Sequence, residues 1–219
     1  MKAYELSTKR KFFESFGSIR TKRDIILLLL EILKTFIIDN QNIRKFNDLD
    51  IIDNDTDISI VIYIDKMKRI FYCTKNKVQS FCFPFTIIKE DDEIKFYFKN
   101  EEIDLKCISI LIRIFSSSMM DNSLNLIELL LNDEVYSSSS ENYQNFLEEL
   151  LIFISVFEDG YLRFDFNDEK NENEEYHPLH HIDFYYTNSN TFKLGIIKKI
   201  SLKNSIEIID INKECLRIN

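Results

Sequence analysis

The chain predicts an α+β fold, and three observations carry that expectation. Residues 22–38 form an apolar run at helical spacing. Residues 58–98 switch to short β-branched and aromatic runs divided by Lys-Asn and Asp-Asp turns. Residues 104–157 return to helical spacing, ahead of a last third of short strand-like runs. Helices and strands that come in blocks favour antiparallel sheets with a segregated helical middle segment. A length of 219 residues predicts a single domain, 1–219, or one domain with a small appended lobe. The sub-lobes would be 1–100, helix plus β-meander, and 101–219, helices plus a C-terminal antiparallel sheet.

Taken in order, KRDIILLLLEILKTFII (22–38) predicts a buried helix with Asp24 as its N-cap. The Asn/Asp-rich stretch 39–57 predicts loops with one short strand at 50–53. Strands are expected at 58–64, 69–74, 78–83, 86–89 and 93–98. Asp91-Asp92 predicts a hairpin turn, and Pro84 a strand break or an edge. Helices follow at 104–115, 124–131 and 141–157, with Ser137–Ser140 a loop that caps the last of these. Asp159-Gly160 is its expected stop. The final strands are placed at 161–166, 179–186, 191–196, 205–211 and 214–218.

Composition narrows the function classes. Only 3 Gly and 2 Pro argue against glycine-rich phosphate loops and proline linkers. A net charge of −9 repels a phosphate backbone, so generic nucleic-acid binding is not favoured. The candidate exception is the basic cluster Lys9-Arg10-Lys11 with Arg20, Lys22 and Arg23. Cys73, Cys82, Cys107 and Cys215 match no zinc-ribbon spacing, and Cys82 reads as a core residue between two phenylalanines. The polar N-terminal run predicts no cleavable signal peptide, and the longest apolar stretch, 25–30, is too short to span a bilayer. The expectation is a cytoplasmic protein with reduced cysteines and no membrane partner.

The concentrated chemistry lies late in the chain. All three histidines fall in His177-Pro178-Leu179-His180-His181-Ile182-Asp183, downstream of Leu162-Arg163-Phe164-Asp165-Phe166. Strand alternation puts Arg163 and Asp165 on one face, and His181, Asp183 and Tyr185 on one face. Paired as a hairpin, the two strands turn Leu162, Phe164, Phe166, Ile182 and Phe184 to the core. Arg163, Asp165, His181, Asp183 and Tyr185 then point outward, with His177 folding over them. An imidazole with carboxylates suits a divalent cation or proton transfer, and an arginine suits a phosphate. The candidate catalytic set is therefore Arg163, Asp165, His177, His181 and Asp183. A cross-strand ion pair explains the same residues without any reaction. No cofactor is specified, and a divalent metal stays open. The acidic loop 168–176 departs from the EF-hand pattern and reads as solvated.

The block 160–183 resembles the closing segment of an uncharacterised prokaryotic domain family of unknown function. The shared pattern is Arg163-Phe164-Asp165-Phe166, then His177-Pro178, His181, Ile182 and Asp183. Asp183 stands where many such sequences carry a histidine. The resemblance implies a soluble prokaryotic accessory or defence protein and supplies no catalytic residues.

Two functions follow as expectations. The first is an accessory or interaction subunit of a bacterial multi-protein system, phage defence or toxin–antitoxin, with another protein as partner. Its basis is the acidic body, the high apolar content and the lack of a complete catalytic motif. The alternative is a small nuclease or phosphoesterase built on the Arg/Asp/His cluster. Oligomeric state is not legible in the sequence.

Overall fold

The computed structural model describes residues 3–8, 19–46, 58–65, 67–74, 76–90, 93–117, 124–166, 178–185 and 191–214. In chain order its elements are β1 (Ala3–Thr8), α1 (Lys22–Ile38), β2 (Arg44–Lys45), β3 (Ile58–Tyr63), β4 (Arg69–Thr74) and β5 (Lys77–Cys82). Next come β6 (Thr86–Glu90), β7 (Glu93–Phe98), β8 (Glu101–Glu102), α2 (Leu105–Ser116), α3 (Leu124–Leu131), α4 (Glu134–Ser137) and α5 (Glu141–Val156). The last are β9 (Leu162–Phe166), β10 (His180–Tyr185), β11 (Thr191–Gly195) and α6 (Leu202–Ile209). The class is α+β. The chain divides into two compact units, one of residues 1–18, 42–83 and 159–219, the other of 19–41 and 84–158.

The first unit is an eight-stranded sheet in the order β11-β10-β9-β5-β4-β3-β1-β2. Every adjacent pair in it is antiparallel. One face carries Val61, Phe71, Cys73, Val78, Phe164 and Ile182, which join Ile200 and Ile206 in a single apolar cluster. Strand alternation explains that face, since Cys73, Val78, Phe164 and Ile182 lie side by side across four strands. Burial of each large side chain there contributes about 1.5–3 kcal/mol.

The second unit joins α1 and α2–α5 to a three-stranded sheet, β6-β7-β8. Glu90 pairs with Glu93 at the end of the β6–β7 ladder, while the expected turn residues Asp91 and Asp92 lie outside the described residues. Lys22 donates to the Phe157 carbonyl. Arg23 donates to the Phe115 and Ser117 carbonyls at 2.6 and 3.2 Å. Two members of the basic cluster are thus tied to the carbonyl ends of α5 and α2, where a helix dipole favours positive charge. Lys9, Arg10 and Lys11 lie outside the described residues.

Several local expectations are corrected. The strand expected at 205–211 is helix α6. Its isoleucines mimic strand alternation, but Ser201 and Asn204 close a capping box, and Leu202, Ile206 and Ile209 recur at helical spacing. Thr21, not Asp24, is the N-cap of α1; Asp24 is its partner three residues on and returns a bond to the Thr21 amide. Strand β1 was not foreseen, because its alternation is short and polar. Cys82 is half-buried, with Arg69 Nη1 3.5 Å from its sulfur. The strand expected at 50–53, and 214–218 apart from Glu214, lie outside the described residues. Among the described residues no helix is long and apolar enough to cross a membrane.

Candidate functional site

Sheet register assembles the site. Gln79, Arg163, Asp183 and Lys193 stand in one cross-strand row over β5, β9, β10 and β11. The next row on the same face is Lys77, Asp165, His181 and Gly195. Odd positions of β9 and β10 therefore form one polar face, while Phe164 and Ile182 between them enter the apolar cluster behind.

The arginine is the hub. Arg163 Nε and Nη2 each lie 2.7 Å from Asp165 Oδ2. Its Nη2 also donates to Asp183 Oδ2 at 2.6 Å, and Nη1 donates to the Tyr185 hydroxyl at 2.8 Å. Burial works against the guanidinium's charge, yet the nearby Asp165 and Asp183 carboxylates hold its pKa above the ordinary value. Tyr161, two residues earlier on the same face, donates its hydroxyl to the buried Gln79 Oε1 at 2.7 Å. Its ring lies 4.6 Å from that of Tyr185.

His181 completes the cluster. Its side chain is 0% exposed. Nδ1 lies 3.0 Å from the Pro178 carbonyl oxygen. A carbonyl only accepts, so Nδ1 carries the proton and Nε2 faces the carboxylates. Nε2 is 3.3 Å from Asp165 Oδ2 and 3.8 Å from Asp183 Oδ1. Burial lowers the imidazole's pKa, against the Pro178 carbonyl and the two carboxylates, which raise it. Pro178 itself is held over Gly195, where a Cβ would come within 3.2 Å of its ring.

The expected outward face is polar but withdrawn from solvent, with Asp165 and Asp183 each 3% exposed. β9 and β10 are interior strands flanked by β5 and β11, not an isolated hairpin, and Arg163 bonds both carboxylates in place of water. Asp165 Oδ1 and Asp183 Oδ1 are buried and make no hydrogen bond among the described residues. One donor atom from each of Asp165, His181 and Asp183 lies within 4.8 Å of the others, so these three could hold a metal ion. Lys193 Nζ stands at the solvent side, 4.0 Å from Asp183 Oδ1.

The structure brings Arg163, Asp165, His181 and Asp183 together. His177 lies outside the described residues. His180 faces the other way, its ring edge-on to Phe166 with centroids 6.0 Å apart. Sequence reasoning missed Gln79, Tyr161, Lys193 and the Pro178 carbonyl. Alternation alone reaches Tyr161, two positions before Arg163; Gln79 and Lys193 need the strand order. No family model, curated protein or solved structure matches this chain.

Proposed function

We propose that the protein is a small phosphoesterase whose centre is Arg163, Asp165, His181 and Asp183. The observation that carries this reading is the convergence of an imidazole nitrogen and two carboxylates within 4.8 Å. Cross-strand ion pairing needs only Arg163 with an aspartate; here the imidazole, held through Nδ1 by the Pro178 carbonyl, brings Nε2 to both carboxylates as well. In this reading Arg163 orients both carboxylates, and Lys193 at the rim attracts the anionic substrate. Model phosphodiesters and phosphomonoesters, with and without added divalent cations, test it. Turnover by the wild-type chain, lost in Asp183→Asn and His181→Gln variants that still fold, is the expected result. A wild-type chain inert towards both ester classes under every cation overturns it.

A second reading, the interaction subunit of a multi-protein system, draws support from α5. Ile152 and Val156, one helical turn apart, are 55% and 71% exposed. Such a pair fits a docking stripe for another protein. A chain recovered from its native source as a monomer with no stable partner removes this reading.

A further inference from the structure

We propose that Asp165, His181 and Asp183 are the protein ligands of one first-row divalent transition ion, of the Mn2+ to Zn2+ class. The inference uses the same side chains as the phosphoesterase reading and stands without it.

The donor separations are the first argument. Ligand atoms about 2.1 Å from a common ion lie about 3–4 Å apart. His181 Nε2 stands 3.3 Å from Asp165 Oδ2, the oxygen Arg163 also holds, and 3.8 Å from Asp183 Oδ1, and one donor atom from each of the three residues lies within 4.8 Å of the others. The unfilled valence is the second. Asp165 Oδ1 and Asp183 Oδ1 are buried without a hydrogen bond among the described residues, the second with only Lys193 Nζ at 4.0 Å, and a bound ion is one way to offset that cost. The supporting shell is the third. A metal-bound histidine characteristically donates its other N–H to a carbonyl, and ligating carboxylates are themselves hydrogen-bonded. Here His181 Nδ1 faces the Pro178 carbonyl, while Arg163 holds Oδ2 of both aspartates. Charge is the fourth. Arg163 offsets one of two carboxylate charges, and a divalent ion would turn the remainder positive, which suits an anionic ligand.

Ligand type sets the metal class. An imidazole with two carboxylates matches Mn2+, Fe2+, Co2+ or Zn2+. Ca2+ takes 6–8 oxygens, and Mg2+ prefers oxygen and keeps its water.

Equilibrium dialysis of the full chain against Mn2+, Co2+, Zn2+, Mg2+ and Ca2+, with metal counted on the dialysed protein, is the test. About one transition ion per chain is expected, with Mg2+ and Ca2+ held far more weakly. His180→Gln leaves binding unchanged, because His180 faces away. Arg163→Lys weakens it about 10–100-fold. Since Asp165→Asn or Asp183→Asn can fail to fold, side-chain nitrogen NMR on the wild-type chain supplies a second readout. Zn2+ should move Nε2 of His181 and leave its Nδ1 protonated. No transition-ion binding by the wild type, or binding that leaves the His181 ring unmoved, overturns the inference. Metal bound without ester turnover sinks the phosphoesterase reading alone; turnover undiminished in chelator by a chain that binds no metal sinks the metal site alone.

Discussion

Arg163 and Asp183 face each other across the β9–β10 ladder, and Nη2 of the arginine reaches Oδ2 of the aspartate at 2.6 Å. The same nitrogen lies 2.7 Å from Asp165 Oδ2, so one guanidinium ties carboxylates from two strands. Groups this withdrawn from water lose hydration on folding. Their attraction offsets that loss only while the set is whole.

Removing the hub should therefore be costly. Arg163→Met leaves Asp165 and Asp183 buried without their guanidinium, and a loss of about 3–5 kcal/mol is expected in urea denaturation. Arg163→Lys keeps the charge but not the planar fork that reaches three oxygens, and should lose about 1–3 kcal/mol. A methionine variant as stable as the wild type would mean the carboxylates are neutralised by something other than Arg163.

The glycine opposite His181 is under a different constraint. A Cβ at Gly195 would sit 3.2 Å from Pro178 Cγ, and the Pro178 carbonyl faces His181 Nδ1 at 3.0 Å. Proline is rigid, so Gly195→Ala has to push the segment that carries this carbonyl. A loss of about 1–3 kcal/mol is expected, with faster solvent exchange of the His181 Nδ1 proton by NMR. Unchanged exchange would show that Pro178 yields without disturbing the imidazole.

Much of this was legible before any coordinates. Period-two alternation placed Arg163, Asp165, His181, Asp183 and Tyr185 on one face, because strand geometry is local. The burial of that face was not legible, since burial and strand order are long-range properties that alternation along one strand does not report. The same limit hid Gln79 and Lys193. Helix α6 was misread for another reason. Isoleucines at 206, 208 and 211 favour strand by propensity, and the cap at Ser201 with packing of Ile206 overrides it.

Gly160 has a positive φ of 53°, and its carbonyl accepts from Arg69 Nη2 at 2.6 Å. An added Cβ would meet Arg69 Nη1 and Cys82 Sγ, both at 3.3 Å. Gly160→Ala combines left-handed strain with that crowding, and should lose about 1–2 kcal/mol in thermal or urea unfolding. An alanine variant that matches the wild type would mean the turn relaxes out of the left-handed region at no cost.

Asp133 supplies the pH prediction. Burial pushes its carboxyl pKa up, but Arg113 and the Tyr136 and Val135 amides outweigh this and hold it below the ordinary value. The bonds are Arg113 Nη2 to Oδ2 at 2.7 Å, and both amides to Oδ1 at 3.0 Å. As pH falls, the unfolded chain takes up this proton first, near pH ~3.9. Stability from the pair is therefore complete above that value and is lost as pH falls through the folded pKa. Asp133→Ala should be about 1–2 kcal/mol less stable than wild type at neutral pH. The gap should narrow from about pH 4 downward. A gap that stays constant into strong acid would assign the stabilisation to the neutral cap geometry of α4, not to the charge that meets Arg113.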